Sequence, residues 1–224
     1  MQNTTYQPTE INQRTNRLTE LREEMETLAI QGNLPLVSLA HEIVPGEGNP
    51  MAEIMFIGEA AGRNELEQRR PFVGVAGRLL NRRLEAIGVR REDVYISNVV
   101  KTRPPNNRDP LPAEIQAYRA FLDAEIEIID PKLIVTLGRF SMGKFLPEVK
   151  IGQVHGRVFQ VEFNGKARFV MPLYHPAAAL RRKLFLETFI QEFGRIPKVL
   201  AYVKEKHQEL EMQESIQELV MSHN

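Results

Sequence analysis

Residues 52–105, AEIMFIGEAAGRNELEQRRPFVGVAGRLLNRRLEAIGVRREDVYISNVVKTRPP, decide the fold class. AEIMFIG at 52–58 is a short apolar run with strand character, RLLNRRLEAIG at 78–88 has helical period and closes on Gly88, and DVYISNVV at 93–100 is a second apolar run. Two strands joined through a helix in so short a span predict a parallel pair, because a parallel crossover needs a covering element. Downstream the theme repeats. LPAEIQAYRAFLDAEIEII at 111–129 is helical and stops before Pro131, and KLIVTLG at 132–138 is a buried strand. RVFQVEF and ARFVMPL then flank Asn164-Gly165, a strong hairpin signal, and a helix follows near 183–193. The expected architecture is α/β, a three-layer α/β/α sandwich with a central, mostly parallel four-stranded sheet plus an edge hairpin.

Outside this body the pattern weakens. Residues 1–15 are polar and lack an apolar period, so they are expected to be disordered or loosely attached. Leu18, Leu21, Met25 and Leu28 have helical spacing and end at Gly32 and Pro35, with a PGEGNP connector at 45–50. The main domain is placed at 16–200. A C-terminal helical extension at 201–224 continues a stripe that includes Val199, Tyr202, Val203, Leu210, Ile216, Leu219 and Val220. Docking on its own domain is the favoured role for that stripe, with a partner site as the alternative.

Composition removes whole classes of chemistry. The 224 residues contain no cysteine, which excludes disulfides, thiol nucleophiles and cysteine-ligated zinc or iron-sulfur centres. No stretch approaches the roughly 18 apolar residues of a membrane span, and the N-terminus lacks a secretory h-region, so a cytoplasmic protein is expected. The 29 basic and 29 acidic residues cancel, but residues 203–224 hold two Lys and five Glu. The rest is therefore mildly basic, 27 against 24.

In an open parallel sheet, ligands bind beyond the carboxyl ends of the strands. Gly58-Glu59 and a loop to Phe72, Asn98 with the Lys101–Pro105 loop, Gly138-Arg139, and His175 all stand there. A carboxylate, an aromatic ring, a carboxamide and an imidazole converge on one rim. Each has an ordinary reading as well: Asn98 as a loop cap, Phe72 as a core plug, His175 as a structural hydrogen bonder, and Glu65 as a solvated helix-entry carboxylate. Likewise Gly74, Ala76 and Gly77 could offer free amides to an anion at a helix start or simply permit close packing.

The ordered trio GEAAGRNELEQRRPFVGVAGRLL (58–80), YISNVVKTRPPNNRDPLP (95–112) and YHPAAALR (174–181) resembles the uracil-DNA glycosylase superfamily, closest to its family 4. The likeness runs from about Leu34 to about Leu200. It implies hydrolysis of the N-glycosidic bond of deoxyuridine in double- or single-stranded DNA; oligomeric state is open, and single-site repair chemistry makes a monomer the simplest expectation. Phe72, Asn98, Gly58 and Ala60 would bind the flipped-out uracil, Asn98 by donating to O4 and accepting from N3–H. His175 would face O2 and stabilise the departing anion. Glu59 and Glu65 are the two candidates for orienting the attacking water, Glu59 first. Gly74, Gly77, Lys101, Arg103, Pro104, Arg181 and Arg182 would meet the DNA backbone or wedge into it.

Three departures from that family stand out. Its four iron-sulfur cysteines correspond to Gln31, Leu34, Thr102 and Tyr118, so no cluster and no other cofactor is expected, with Leu34 and Tyr118 filling the space. Ala61 and Arg69 replace the family's usual Pro and Gly, and Arg69 is expected to add positive charge near the water loop. No His-bearing basic insertion follows Arg103, so turnover rather than covalent capture is expected. A DNA-binding module without efficient hydrolysis, and a glycosylase for another deaminated base such as hypoxanthine, are the alternatives.

Overall fold

The computed structural model describes residues 7–222, less the side chains of residue 211 and of 214–222. One six-stranded sheet organises it. The strands are β1 (Glu47–Gly48), β2 (Ile54–Ala60), β3 (Tyr95–Val100), β4 (Leu133–Leu137), β5 (Phe159–Phe163) and β6 (Lys166–Leu173), in the order β1-β3-β2-β4-β6-β5. The middle four are parallel, while β1 and β5 pair antiparallel at the edges. The four-stranded parallel core and its edge hairpin are those expected from the sequence, and β1 is an addition. Asn164 and Gly165 take φ values of 50° and 75°, the left-handed pair a tight hairpin turn requires.

The helices are α1 (Pro8–Ile30), α2 (Arg63–Gln68), α3 (Val75–Ala86), α4 (Pro112–Ile129), α5 (Arg139–Gly143), α6 (Ile151–Val154), α7 (Pro176–Ala179), α8 (Lys183–Phe193) and α9 (Ile196–Ser222). Strand periodicity sorts the core into two layers. Ile54, Phe56, Ile96 and Val135 face one way and pack with Leu80 and Leu84 of α3, Phe189 and Phe193 of α8, and Val199 and Val203 of α9. Met55, Ile57, Tyr95 and Ile134 face the other way, toward Met25 of α1 and Tyr118, Leu122 and Ile126 of α4. Helices thus cover both faces. Order in the sheet reverses between β2 and β4, and there the strand ends leave a crevice.

The expectation of loose chain through residue 15 is corrected, because α1 already starts at Pro8. Pro stands at its first turn, where its missing N–H is harmless, and Arg14 anchors the helix by donating to the Ile129 carbonyl at 2.6 Å. At the other end α9 runs without a break across residue 200, with Ile196, Val199 and Val203 buried. Ile216, Leu219 and Val220 lie outside the described side chains. Among the described residues no helix is long and apolar enough to cross a membrane.

Candidate active site

A cleft of about 690 Å3 opens at the crevice between β2 and β4. Glu59, Phe72, Asn98 and His175 all line it, together with Glu65, Pro104 and Arg181. Gly58 explains how two of them, Phe72 and Asn98, meet. It pairs in register with Asn98, and a Cβ placed on it would stand 2.4 Å from Asn98 Oδ1 and 2.5 Å from the Phe72 ring. Only a glycine lets ring and carboxamide cross the strand this closely. Phe72 itself has φ 52°, a left-handed conformation that an aromatic residue holds at a cost of order 1–3 kcal/mol.

Asn98 is 2% exposed, and its Oδ1 has no hydrogen-bond partner. Leaving a buried acceptor unpaired costs about 1–3 kcal/mol, so this atom could take a donor from a group in the cleft. His175 complements it. The Ala177 amide donates to His175 Nδ1 at 3.1 Å, which puts the ring proton on Nε2 and makes that nitrogen a donor. Burial pulls its pKa down from 6.5 to about 4, opposed by Glu65 and assisted by Arg181, so the imidazole is neutral at physiological pH. Its ring lies 5.7 Å from that of Phe72.

The two carboxylates have separated tasks. Glu59, next to last in β2, lies inside the cleft, and burial, with Asp109 beside it, raises its pKa against the opposing pull of Arg139. Glu65 Oε1 accepts the amides of Val73 at 3.0 Å and Gly74 at 2.7 Å. Glu65 therefore ties the loop that carries Phe72, although it also touches the cleft.

Several expected DNA contacts are corrected. Lys101 is 0% exposed, and its Nζ donates to Ser97 Oγ and Glu125 Oε2 at 2.5 Å each. Odd-numbered residues from Tyr95 onward face α4, and Lys101 continues that parity past the strand end, so it cannot reach a phosphate. The Gly74 amide already binds Glu65. At Gly77 a Cβ would stand 1.9 Å from the Phe72 carbonyl oxygen, so this glycine serves the packing of α3 on the loop. Arg69 does not charge the cleft either: it pairs with Glu26 and donates to the Ile43 carbonyl, tying α2 to α1. Its φ of 53° is one that glycine would occupy more easily.

Arg103, Pro104, Arg181 and Arg182 remain at or near the mouth. Arg103 donates to Asn107 at 2.7 Å, Arg182 lies over the Phe185 ring, and Arg181 is exposed with no carboxylate partner among the described residues. Sequence reasoning placed Arg139 on the rim but overlooked its ion pair with Asp109 across the mouth. Only the fold brings the 103–111 loop to the end of β4. It also passed over Tyr174, which lines the cleft and stacks on Phe185 at 4.8 Å. Its position beside His175 was the available signal.

Ala60 lines the cleft next to Glu59. Gln31, Leu34, Thr102 and Tyr118 form no ligand set. Leu34 and Tyr118 belong to one apolar cluster, Tyr118 donates to the Pro35 carbonyl at 2.8 Å, Thr102 is buried and Gln31 is exposed. Their chemistry does not fit a metal cluster, and among the described residues no group of three or more His, Cys, Asp or Glu could hold an ion.

The family model described as the uracil DNA glycosylase superfamily matches residues 45–194. The chain belongs to the uracil-DNA glycosylase superfamily. Its relatives include a type-4 uracil-DNA glycosylase of Archaeoglobus fulgidus, 48% identical over 158 residues, or 68% of this chain and 79% of that protein. A type-4 uracil-DNA glycosylase of Sulfurisphaera tokodaii is 48% identical over 167 residues, covering 69% and 76%. One of Saccharolobus solfataricus is 46% identical over 164 residues, covering 70% and 76%. Within the matched region of this glycosylase-superfamily chain fall the cleft residues Glu59, Phe72, Asn98 and His175, whereas Gln31, Leu34 and all of α9 lie outside it.

Proposed function

We propose that this protein excises uracil from DNA, releasing the free base and leaving an abasic site, and does so as a monomer without an iron-sulfur cluster. The observation that carries the reading is the buried, unpartnered Asn98 Oδ1 beside the Phe72 ring and a neutral His175 donor.

The chemistry follows from these groups. An extruded pyrimidine loses its stacking in the helix, and the Phe72 face replaces part of it, about 1–3 kcal/mol. Uracil brings N3–H to Asn98 Oδ1 and O4 to the amide nitrogen. Cytosine has no hydrogen on N3 and would leave Oδ1 unpaired, a discrimination of about 1–3 kcal/mol. As the glycosidic bond breaks, the electron pair goes to the base and negative charge grows on O2. The Nε2–H of His175 then strengthens its hydrogen bond and favours the transition state over the ground state. The sugar becomes cationic at its anomeric carbon, and Glu59 orients a water toward it and accepts a proton. Glu65 holds the loop rather than the water. Arg103, Arg181 and Arg182 contact the phosphates and Pro104 borders the base channel, in single- or double-stranded DNA.

The test is excision from a labelled single-uracil oligonucleotide, followed by alkaline cleavage at the abasic site. Asn98→Ala and His175→Ala are each expected to lower single-turnover rates at least a hundredfold while the protein stays folded. Binding of uracil-containing DNA by the parent without cleavage would reject hydrolysis in favour of base sensing.

A further inference from the structure

Phe72 sits where only a restrained backbone would leave it. Its φ is 52°, its ring crosses Gly58, and its carbonyl faces the space a Gly77 Cβ would take. Two charged side chains grip the segment from opposite flanks. On one, Glu65 accepts the amides of Val73 and Gly74. On the other, Arg91 Nη1 donates to the Phe72 carbonyl at 3.1 Å and Nη2 to the Pro71 carbonyl at 2.5 Å. Neither Arg91 nor its partner Glu47 lines the cleft.

Glu47 aims the guanidinium. Its Oε1 accepts from Arg91 Nε at 3.0 Å and Nη2 at 2.9 Å, and the same carboxylate takes two hydrogen bonds from Arg70. Asn81 of α3 accepts from Nη1 at 2.9 Å, so Arg91 joins β1, the loop and α3 at one point. The side chains of Arg91 and Glu47 are 17% and 26% exposed, too enclosed for ordinary surface ions. A planar fork with several fixed donors can serve two carbonyls and a carboxylate together, which an ammonium cannot.

We propose that Arg91, oriented by Glu47, is a positioning residue: with Glu65 it clamps the Pro71–Gly74 segment so that the Phe72 ring stays over Gly58 beside Asn98. The proposal rests on reading Phe72 as the base-stacking platform. Released from Arg91, Phe72 relaxes toward negative φ and carries its ring off the base site.

A double-mutant cycle on uracil excision separates positioning from general stability. Arg91→Ala is expected to lower kcat/KM at least tenfold, and Arg91→Lys to recover less than half of the lost activity. In a Phe72→Ala background, however, removing Arg91 costs less than threefold, because the ring it positions is gone. Glu47→Gln, which keeps the side chain's shape, repeats the pattern more weakly and covers the case in which Arg91→Ala does not fold. An unchanged rate in Glu47→Gln and in folded Arg91 variants overturns the clamp, as do losses that multiply in the double variants. If the parent excises uracil and Phe72→Ala is as fast, the platform reading fails and takes the clamp with it. A slow Phe72→Ala with normal Arg91 and Glu47 variants rejects the clamp alone.

Discussion

In the proposed reaction His175 enters neutral, as a hydrogen-bond donor that does not already carry charge. Its folded pKa of about 4 lies below the ordinary 6.5, so the unfolded chain binds a proton at higher pH than the folded one. That group therefore withdraws stability as pH falls from 6.5 toward 4, and contributes no titration of activity near 6.5. Glu59 behaves in the opposite sense. Burial raises its pKa above 4.5, and in the proposed reaction it orients water as the ionised carboxylate. The kcat/KM profile is expected to rise through an acid limb above pH 4.5 that disappears in Glu59→Gln; a limb near 6.5 that persists in Glu59→Gln and that His175→Ala removes would contradict this assignment. Gly58→Ala is expected to reduce excision at least a hundredfold, because its methyl would displace either the Phe72 ring or the Asn98 carboxamide.

Among elements, β3 shows how a period of two separates chemistry from structure. Asn98 faces the cleft, whereas Ser97 and Lys101 face α4 and meet Glu125 in a buried ion pair. Removing one partner strands the other charge, so Lys101→Met should lose about 3–5 kcal/mol, visible in urea or thermal unfolding. Lys101→Met with Glu125→Leu should recover most of that loss. A double variant as unstable as the single would show that the pair is not the cause. The strand run was legible, yet the burial of Lys101 was not, because its partner lies 24 residues away on a different element. Similarly, the start of α1 depends on Arg14 reaching Ile129, 115 residues on, while β1 exists only through pairing with β3. The turn at Asn164-Gly165 and helix α8 were readable because neighbours in sequence determine them. The cleft was readable in part: the carboxyl-end rule brings Glu59, Asn98, Arg139 and His175 together, but the tasks of Glu65 and Gly74 depend on loop hydrogen bonds that no periodicity encodes.

At the scale of the molecule, apolar packing fills the region around Leu34 and Tyr118. Leu34 and Tyr118 share the cluster between the sheet and helices α1 and α4, and the Tyr118 hydroxyl closes on Pro35. Tyr118→Phe should lose about 0.5–1.5 kcal/mol in urea unfolding, with excision retained, since the hydrogen bond holds the fold rather than the cleft. Adding chelator is expected to change neither melting temperature nor turnover. The most direct measurement is single-turnover uracil release by protein shown to be free of iron after chelation, alongside Asn98→Ala treated identically. The account expects the iron-free parent to release uracil at its full rate and the variant at least a hundredfold more slowly. A parent that is inactive until iron is restored, or an Asn98→Ala protein as fast as the parent, would contradict it.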